Sequence, residues 1–354
     1  MDFNKLARAH LRDLTPYQSA RRIGGHGHTF LNANEYYKSQ LYFFNSTTLN
    51  RYPDCQPFEV QVAAADYVGL RPENVLIARG SDEAIELIIR TFCENGEGIA
   101  IAPPTYGVYS IFATANGAQV LNVPRQADFA LKAADIVTAV QNAPFTVKAI
   151  FIDSPANPLG TIFPKEELVE LLTKLPETLV VMDEAYIEFE PEQTCVKLVK
   201  QYPNLVVLHT LSKAFALAGI RCGFAFAHPE IITYLLKVIN PYPVPDPVAQ
   251  IAKQALARGG IELMRERVQE TVKRREELRQ HLLALPCVVE VFPSTANFLL
   301  VRFKDGPRVF HEMAQRGIIL RSFEDKPGLH NCVRITIGSA EELDEVMRTL
   351  SALE

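Results

Sequence analysis

From about residue 72 onward, short apolar runs alternate with stretches in which apolar residues recur every three or four positions. VLIA (75–78) reads as a strand, and GSDEAIELIIR (80–90) as a helix that gathers Ala84, Ile85, Ile88 and Ile89 on one face. Ser81 reads as the N-cap of that helix, with Asp82 and Glu83 in its first turn. Further apolar runs follow at GIAIAPP (98–104), AQVLNV (118–123), KAIFID (148–153), TLVVMDEAY (178–186), NLVVLHT (204–210) and RCGFAFA (221–227). Six or seven short strands separated by helices indicate an α/β fold around a largely parallel sheet, buried on both faces.

The segment PYPVPDPVAQ (241–250) carries four prolines and interrupts the rhythm, which places a domain boundary near residue 245. Beyond it, IELMRERVQETVKRREELRQHLLAL (261–285) predicts a long charged helix with Met264, Val268, Val272, Leu278, Leu282 and Leu285 on one side. Strands are expected at VVEVF (288–292), NFLLVRF (297–303), GIILR (317–321) and CVRITIG (332–338), forming a smaller α+β unit. A chain of 354 residues is long enough for two such units.

Composition narrows the chemistry. Hydrophobic residues make up 48% and charged residues 22%, and the formal net charge of −5 argues against a general nucleic-acid or anionic-membrane surface. An anionic ligand must then be met by local arginines and helix ends. The six cysteines (Cys55, Cys93, Cys195, Cys222, Cys287, Cys332) are scattered with no CxxC pair, as in a reducing compartment. MDFNKLARAHLRDL lacks the apolar centre of a signal peptide and no run of about 18 apolar residues occurs, so a cytoplasmic protein is expected. There is no HExxH, and GGHGH (24–28) reads as a loop in preference to a metal clip.

In open α/β sheets ligands gather at the carboxyl ends of the strands, so the polar residues that end each run belong together. After VLIA come Arg79, Gly80, Ser81 and Asp82 at a helix start, able to offer backbone N–H groups and the helix dipole to a phosphate. After KAIFID comes SPANPLG, where Pro158 holds Asn157 extended. After TLVVM comes Asp183, with Tyr186 three residues on. After NLVVLH come Thr210, Ser212 and Lys213, and then Arg221. A lysine buried among Ala, Leu and Gly loses hydration, so its neutral, nucleophilic form becomes accessible near pH 7. The same lysine also fits an ammonium that reaches water along its stem. Taken singly, Asp183 fits a helix cap, Asn157 a turn and Arg221 a surface ion pair. Taken jointly, they form the set that pyridoxal phosphate requires: an imine-forming lysine, a carboxylate that keeps the pyridine nitrogen protonated, and an arginine and hydroxyl for the phosphate.

With these residues the chain resembles the fold-type I, class II aminotransferases, and among them the branch that acts on histidinol phosphate. The resemblance is carried by LTPYQSARR (14–22), LNANE (31–35), NRYPDCQP (50–57), RGSDEAIELIIR (79–90), PPTYGVY (103–109), SPANPLG (154–160), DEAYIEF (183–189), TLSKAFALAGIRCGF (210–224) and CVRITIG (332–338). It implies an N-terminal arm (1–40) joining the small domain, a large cofactor-binding domain (41–245) with a mostly parallel seven-stranded sheet, and a small α+β domain (246–354). It implies that Lys213 forms the imine and shuttles the substrate proton, that Asp183 pairs with the pyridinium, and that Asn157 and Tyr186 bond the ring 3′-oxygen. Tyr106 would stack on the ring, while Thr210, Ser212, Arg221 and the N–H groups around Gly80, Ser81 and Asp82 hold the phosphate. Tyr52 would reach the neighbouring subunit's cofactor in a homodimer.

The implied substrates are histidinol phosphate and the pair glutamate and 2-oxoglutarate, met by Arg334 and Arg321 with Tyr17 and Asn34. A guanidinium fork suits phosphate and carboxylate alike, so one pocket can serve both half-reactions. The family usually reads SPNNPTG where this chain has Ala156 and Leu159, which predicts a slightly different loop with the chemistry retained. An aromatic amino acid, or threonine phosphate with decarboxylation, is the alternative substrate reading. A regulatory module that binds the cofactor would need an attached DNA-binding domain, and only about forty residues precede the first core motif. No GxGxxG follows an early strand, against a nicotinamide dehydrogenase.

Overall fold

The apolar runs between residues 75 and 227 become one sheet, buried except along its edge strand at Gln119–Asn122, in a computed structural model that describes residues 1, 3–18 and 26–353. Residues 19–22 of LTPYQSARR and the first two glycines of GGHGH lie outside the described residues. After a two-residue strand β1 (Thr29–Phe30), the strands are β2 (Val75–Ala78), β3 (Gly98–Ile101), β4 (Gln119–Asn122), β5 (Val147–Asp153), β6 (Leu179–Asp183), β7 (Leu205–Thr210) and β8 (Gly223–Ala227). The seven-stranded sheet has the order β2-β8-β7-β6-β5-β3-β4, and β8 runs against both neighbours while the others are parallel. That reversal has a use: Thr210 at the end of β7 pairs with Gly223 at the start of β8, so Arg221 arrives at the edge where β5, β6 and β7 finish.

The intervening helices are α1 (Phe58–Val68), α2 (Gly80–Phe92), α3 (Val108–Asn116), α4 (Ala133–Gln141), α5 (Lys165–Lys174) and α6 (Pro229–Leu236). Strand residues alternate between two cores: Ile150, Ile152, Val180 and Val207 pack with α1, α4 and α5, whereas Ala149, Phe151, Val181 and Val206 pack with α2, α3 and α6. The two-residue period of a strand thus appears as two apolar layers, one on each face.

Three expectations need correction. Ser81 is not the N-cap of α2, since Arg79 holds that position and the Arg79 N–H donates to Glu83 Oε2 at 2.7 Å. Glu83 reaching back satisfies that N–H and closes the turn. The proline-rich segment is irregular only in its first half, because Asp246–Leu256 is a helix, α7, with proline in its first turn, where no N–H is needed. Finally, GIILR is two strands, not one: β11 (Ile318–Ile319) pairs in parallel with β1, and β12 (Arg321–Ser322) pairs with a different sheet.

Helix α7 packs its buried Ala249, Ala252, Ala255 and Leu256 into the core beside α1, and the long helix α8 (Arg258–Leu283) then leads away. The second sheet contains β9 (Val288–Val291), β10 (Phe298–Phe303), β12 and β13 (Cys332–Thr336), in the antiparallel order β12-β13-β10-β9. Its core takes Val309 and Met313 from α9 (Gly306–Gln315) and Leu343, Val346 and Leu350 from α10 (Ala340–Ser351). Leu278 and Leu282 of α8 join that core while Met264 sits in the first, so α8 spans both. Its buried face also holds Arg267, Thr271 and Arg275, which the apolar pattern did not reveal. These arginines donate to main-chain oxygens of Phe215 and Ala296, at 2.9 Å each. Among the described residues no helix is long and apolar enough to cross a membrane.

Candidate active site

The strand ends of the large sheet meet residues of the second sheet, Arg334 reaching Asn157 and Thr336 holding Asn34. At the floor of this junction Asp183, 4% exposed, accepts a hydrogen bond from Tyr109 Oη at 2.8 Å and another from Ala185 N–H at 3.2 Å. Burial raises its carboxyl to about 7, against the hydrogen bond from Tyr109. Beside it, Asp153 accepts from Thr105 Oγ1 and from Asn157 N–H, both at 2.8 Å, with Arg125 3.9 Å away. Asp153 therefore shapes the turn that presents Asn157. In that turn Ala156 and Leu159 are buried against Phe292, Leu300, Leu329 and Cys332, so the two departures from the family pattern pack the loop onto the second sheet.

Lys213 follows β7, and its Nζ donates to Ala33 O at 2.8 Å. Burial, and then the Arg334 guanidinium, lower its ammonium to about 8, so a sizeable neutral fraction exists at physiological pH. Ser212 Oγ receives Thr210 Oγ1 at 2.9 Å and Arg221 Nη1 at 3.2 Å. Arg221 Nη2 reaches Asp82 Oδ2 at 3.0 Å, and Tyr106 Oη donates to Asp82 Oδ1 at 3.2 Å. Gly80 has φ +79°, and a Cβ there would lie 2.6 Å from Arg221 Nη2. A Cβ on Gly223 would lie 2.6 Å from Ser81 N. The N-terminus of α2, Arg221 and Ser212 thus form a cradle open to an anion because two glycines leave room for it.

Near Lys213, Tyr186 Oη accepts from Asn34 Nδ2 at 2.9 Å, and Asn34 is fixed in turn by Thr336 of β13 and by Asn297, just ahead of β10. Burial raises the Tyr186 hydroxyl to about 12 against Arg334, so it stays a proton donor. Arg334 donates through Nη1 to Asn157 Oδ1 and through Nη2 to Asn32 O at 2.7 Å. Burial lowers this guanidinium to about 10, and its Nε is buried with no hydrogen-bond partner. Arg321 pairs with Arg334 across β12 and β13, donates to Gln18 O at 3.2 Å, and keeps a buried Nη1 without a partner. Among the described residues neither arginine has a carboxylate within 4.0 Å. Tyr17 lies edge-on to Tyr106 at 6.0 Å, and burial raises its hydroxyl against both arginines.

All the residues expected from the sequence converge here except Tyr52, which is 81% exposed and stacks on Tyr242 at 4.3 Å. Sequence reasoning missed Tyr109, Asp153, Thr105 and Arg125. Tyr109 had a detectable signal, since it stands one helical turn after Tyr106 in PPTYGVY. His28 of the Gly-rich loop bonds Glu345 at 2.8 Å, and no metal-binding group of His, Cys, Asp or Glu occurs among the described residues.

Residues 28–350, which hold the mixed seven-stranded sheet with its lysine, its carboxylate and its anion cradle, match the family model for aminotransferase class I and II, and the chain belongs to that family. It is 51% identical to the histidinol-phosphate aminotransferase of Aeromonas salmonicida, over 99% of this chain and 98% of that protein. It is 48% identical to that of Pectobacterium carotovorum, over 99% of this chain and 98% of the relative. The crystal structure of the Sinorhizobium meliloti histidinol-phosphate aminotransferase in complex with pyridoxal-5′-phosphate superposes with a TM-score of 0.84 at 21% identity, covering 98% of each chain, which shows the fold.

Proposed function

We propose that this chain moves the amino group of L-histidinol phosphate to 2-oxoglutarate, giving imidazole acetol phosphate and L-glutamate in histidine biosynthesis, with pyridoxal 5′-phosphate as cofactor. The observation that carries the substrate reading is the Arg334–Arg321 pair: two adjacent guanidinium groups near Lys213, each with a buried N–H lacking a partner. Unpaired buried donors of this kind are costly unless a ligand oxygen meets them. Phosphate and carboxylate both do so, one in each half-reaction.

The donor set also fits the cofactor. When bound, pyridoxal 5′-phosphate supplies a carbonyl that carries the amino group and a ring that accepts the electrons of the substrate C–H bond. Gly80, Ser81, Ser212, Thr210 and Arg221, which already meet one another, would hold its phosphate, and Asp183 would face the ring nitrogen. Tyr186 already accepts from Asn34, which leaves its own proton to donate to the ring oxygen. Asn157 has its Oδ1 committed to Arg334, so its NH₂ is the group it offers. Tyr106 would cover one face of the ring. Lys213, whose ammonium is lowered to about 8, would serve as the base that moves the proton of the amino-bearing carbon.

Further parts of the reading concern assembly. Exposed Tyr52, Phe58, Phe43 and Tyr242 support a homodimer in which Tyr52 reaches the neighbouring cofactor site. We place the arm at residues 1–40, the large domain at 41–245 and the small domain from 246, with α7 keeping its packing against α1 at that boundary. The enzyme is cytoplasmic in this reading.

The test is a spectrum of the purified protein with pyridoxal phosphate, before and after L-histidinol phosphate is added without a keto acid. Loss of the visible band on addition is expected, and rates with histidinol phosphate should exceed those with phenylalanine or threonine phosphate. A band that glutamate converts and histidinol phosphate leaves intact would discard the substrate. Lys213→Ala should lose both band and turnover.

A further inference from the structure

A second group of buried ionisable side chains lies behind the strand ends that carry Lys213 and Asp183. Glu184, 1% exposed, accepts from His209 Nε2 at 2.8 Å, Thr194 Oγ1 at 2.6 Å, Cys195 N–H at 2.7 Å and Cys195 Sγ at 2.9 Å. His209, in β7 and 5% exposed, stands edge-on to Phe226. The charges of Glu184, Glu188 and Asp183 act on its ring, and Tyr67 in turn feels Glu188, Arg265 and Glu184. Burial pushes Glu188 up to about 7, so Glu184 is the principal counter-ion. Against the cost of burial, the hydrogen bond and charge of Glu184 raise His209, and those of His209 lower Glu184.

The backbone completes the tie. Asp183 pairs with Leu208 across β6 and β7, and Glu184 N–H donates to Leu208 O at 2.9 Å. Residue 184 is therefore joined to 208 through the main chain and to 209 through side chains. The cofactor residues begin on either side of that junction, with Asp183 before Glu184 and Thr210, Ser212 and Lys213 after His209. We propose that the Glu184–His209 ion pair is a positioning clamp for the cofactor site, fixing the strand end that bears Asp183 against the one that bears Lys213. The clamp rests on the reading of those two residues as the cofactor's partners.

The sign of its pH dependence follows from the direction of each shift. A raised imidazole keeps the clamp charged below the ordinary histidine range; as pH rises through the raised value the pair loses its charge and weakens to a neutral Nε2–H hydrogen bond. Cofactor affinity then falls with rising pH. Deprotonation of Lys213 acts in the opposite sense, because imine formation uses the neutral amine. The two contributions are thereby separable.

The test is a titration of His209 in the full-length, ¹⁵N-histidine-labelled protein by NMR, with and without pyridoxal phosphate. Binding and protonation are reciprocal, so a clamp worth about tenfold in affinity moves the His209 midpoint upward by about one pH unit on cofactor binding. Two variants give the same answer independently: His209→Gln should bind pyridoxal phosphate about tenfold more weakly at pH 7, and His209→Arg should abolish the alkaline decline. An unmoved His209 midpoint, wild-type affinity in His209→Gln, or an unchanged alkaline decline in His209→Arg would each overturn the clamp. Failure of the wild-type protein to develop a visible band would instead overturn the cofactor reading, and the clamp with it.

Discussion

Replacing Tyr109 with Phe removes one atom from the floor of the site and leaves the packing intact. The ring stacks on Phe151 at 5.2 Å in a fully buried position, and only the hydroxyl bond to Asp183 is lost. A hydrogen bond to a buried charged group contributes about 1.5–3 kcal/mol, which is about 10- to 100-fold in an equilibrium between the charged and neutral acid. Asp183 already stands near 7 with that bond in place, so the variant's carboxyl should rise about one to two pH units further. The expected outcome is an acid limb in the pH profile of cofactor binding that moves upward by that amount, with a matching loss of turnover at pH 7. Binding measured from pH 5 to 9 on both proteins reads this directly. An acid limb that stays in place would refute the idea that Tyr109 sustains the charge on Asp183.

Arg334→Lys loses the fork that engages Asn157 and Asn32 together, so KM should rise about 10- to 100-fold for both substrates, as steady-state kinetics would show. Asp183→Asn should bind pyridoxal phosphate weakly yet melt at a higher temperature than the wild type when both are cofactor-free at pH 8. The reason is that the neutral acid is favoured in the fold below the ordinary carboxylate range and that advantage is lost as pH rises through about 7. Leu159→Ala, at a side chain 2% exposed, should cost about 2–5 kcal/mol in thermal or urea unfolding with turnover per folded molecule nearly unchanged.

Periodicity pointed to the six or seven strands of the large sheet, because most of them are buried on both faces and read as continuous apolar runs. The reactive lysine, the floor carboxylate and the arginines stood at strand ends, where a short polar run after an apolar one is easy to see. What escaped were residues whose role depends on partners distant in sequence. Asp153 is the last residue of an apolar run, and only the fold shows that it anchors the Asn157 turn through Thr105 and Arg125. Arg267 and Arg275 are charged residues in a charged helix, and their burial follows from main-chain oxygens supplied by other segments. GIILR looked like one strand because its apolar residues are contiguous, yet its two halves bond to different sheets. Ser81 matched a capping preference that Glu83 overrode from four residues after Arg79.

The contact between Gly223 and the Gly80–Ser81 peptide leaves less than the width of a methyl group. In a saturation mutagenesis screen scored by growth without histidine, Gly223 would tolerate as few replacements as Lys213, although it touches no reacting atom. Even alanine would push β8 away from the start of α2 and carry Arg221 with it, so the defect would look like lost affinity for the cofactor. Supplying excess vitamin precursor should rescue part of that defect and none of the defect at Lys213, which gives a genetic means of telling a scaffold position from a chemical one.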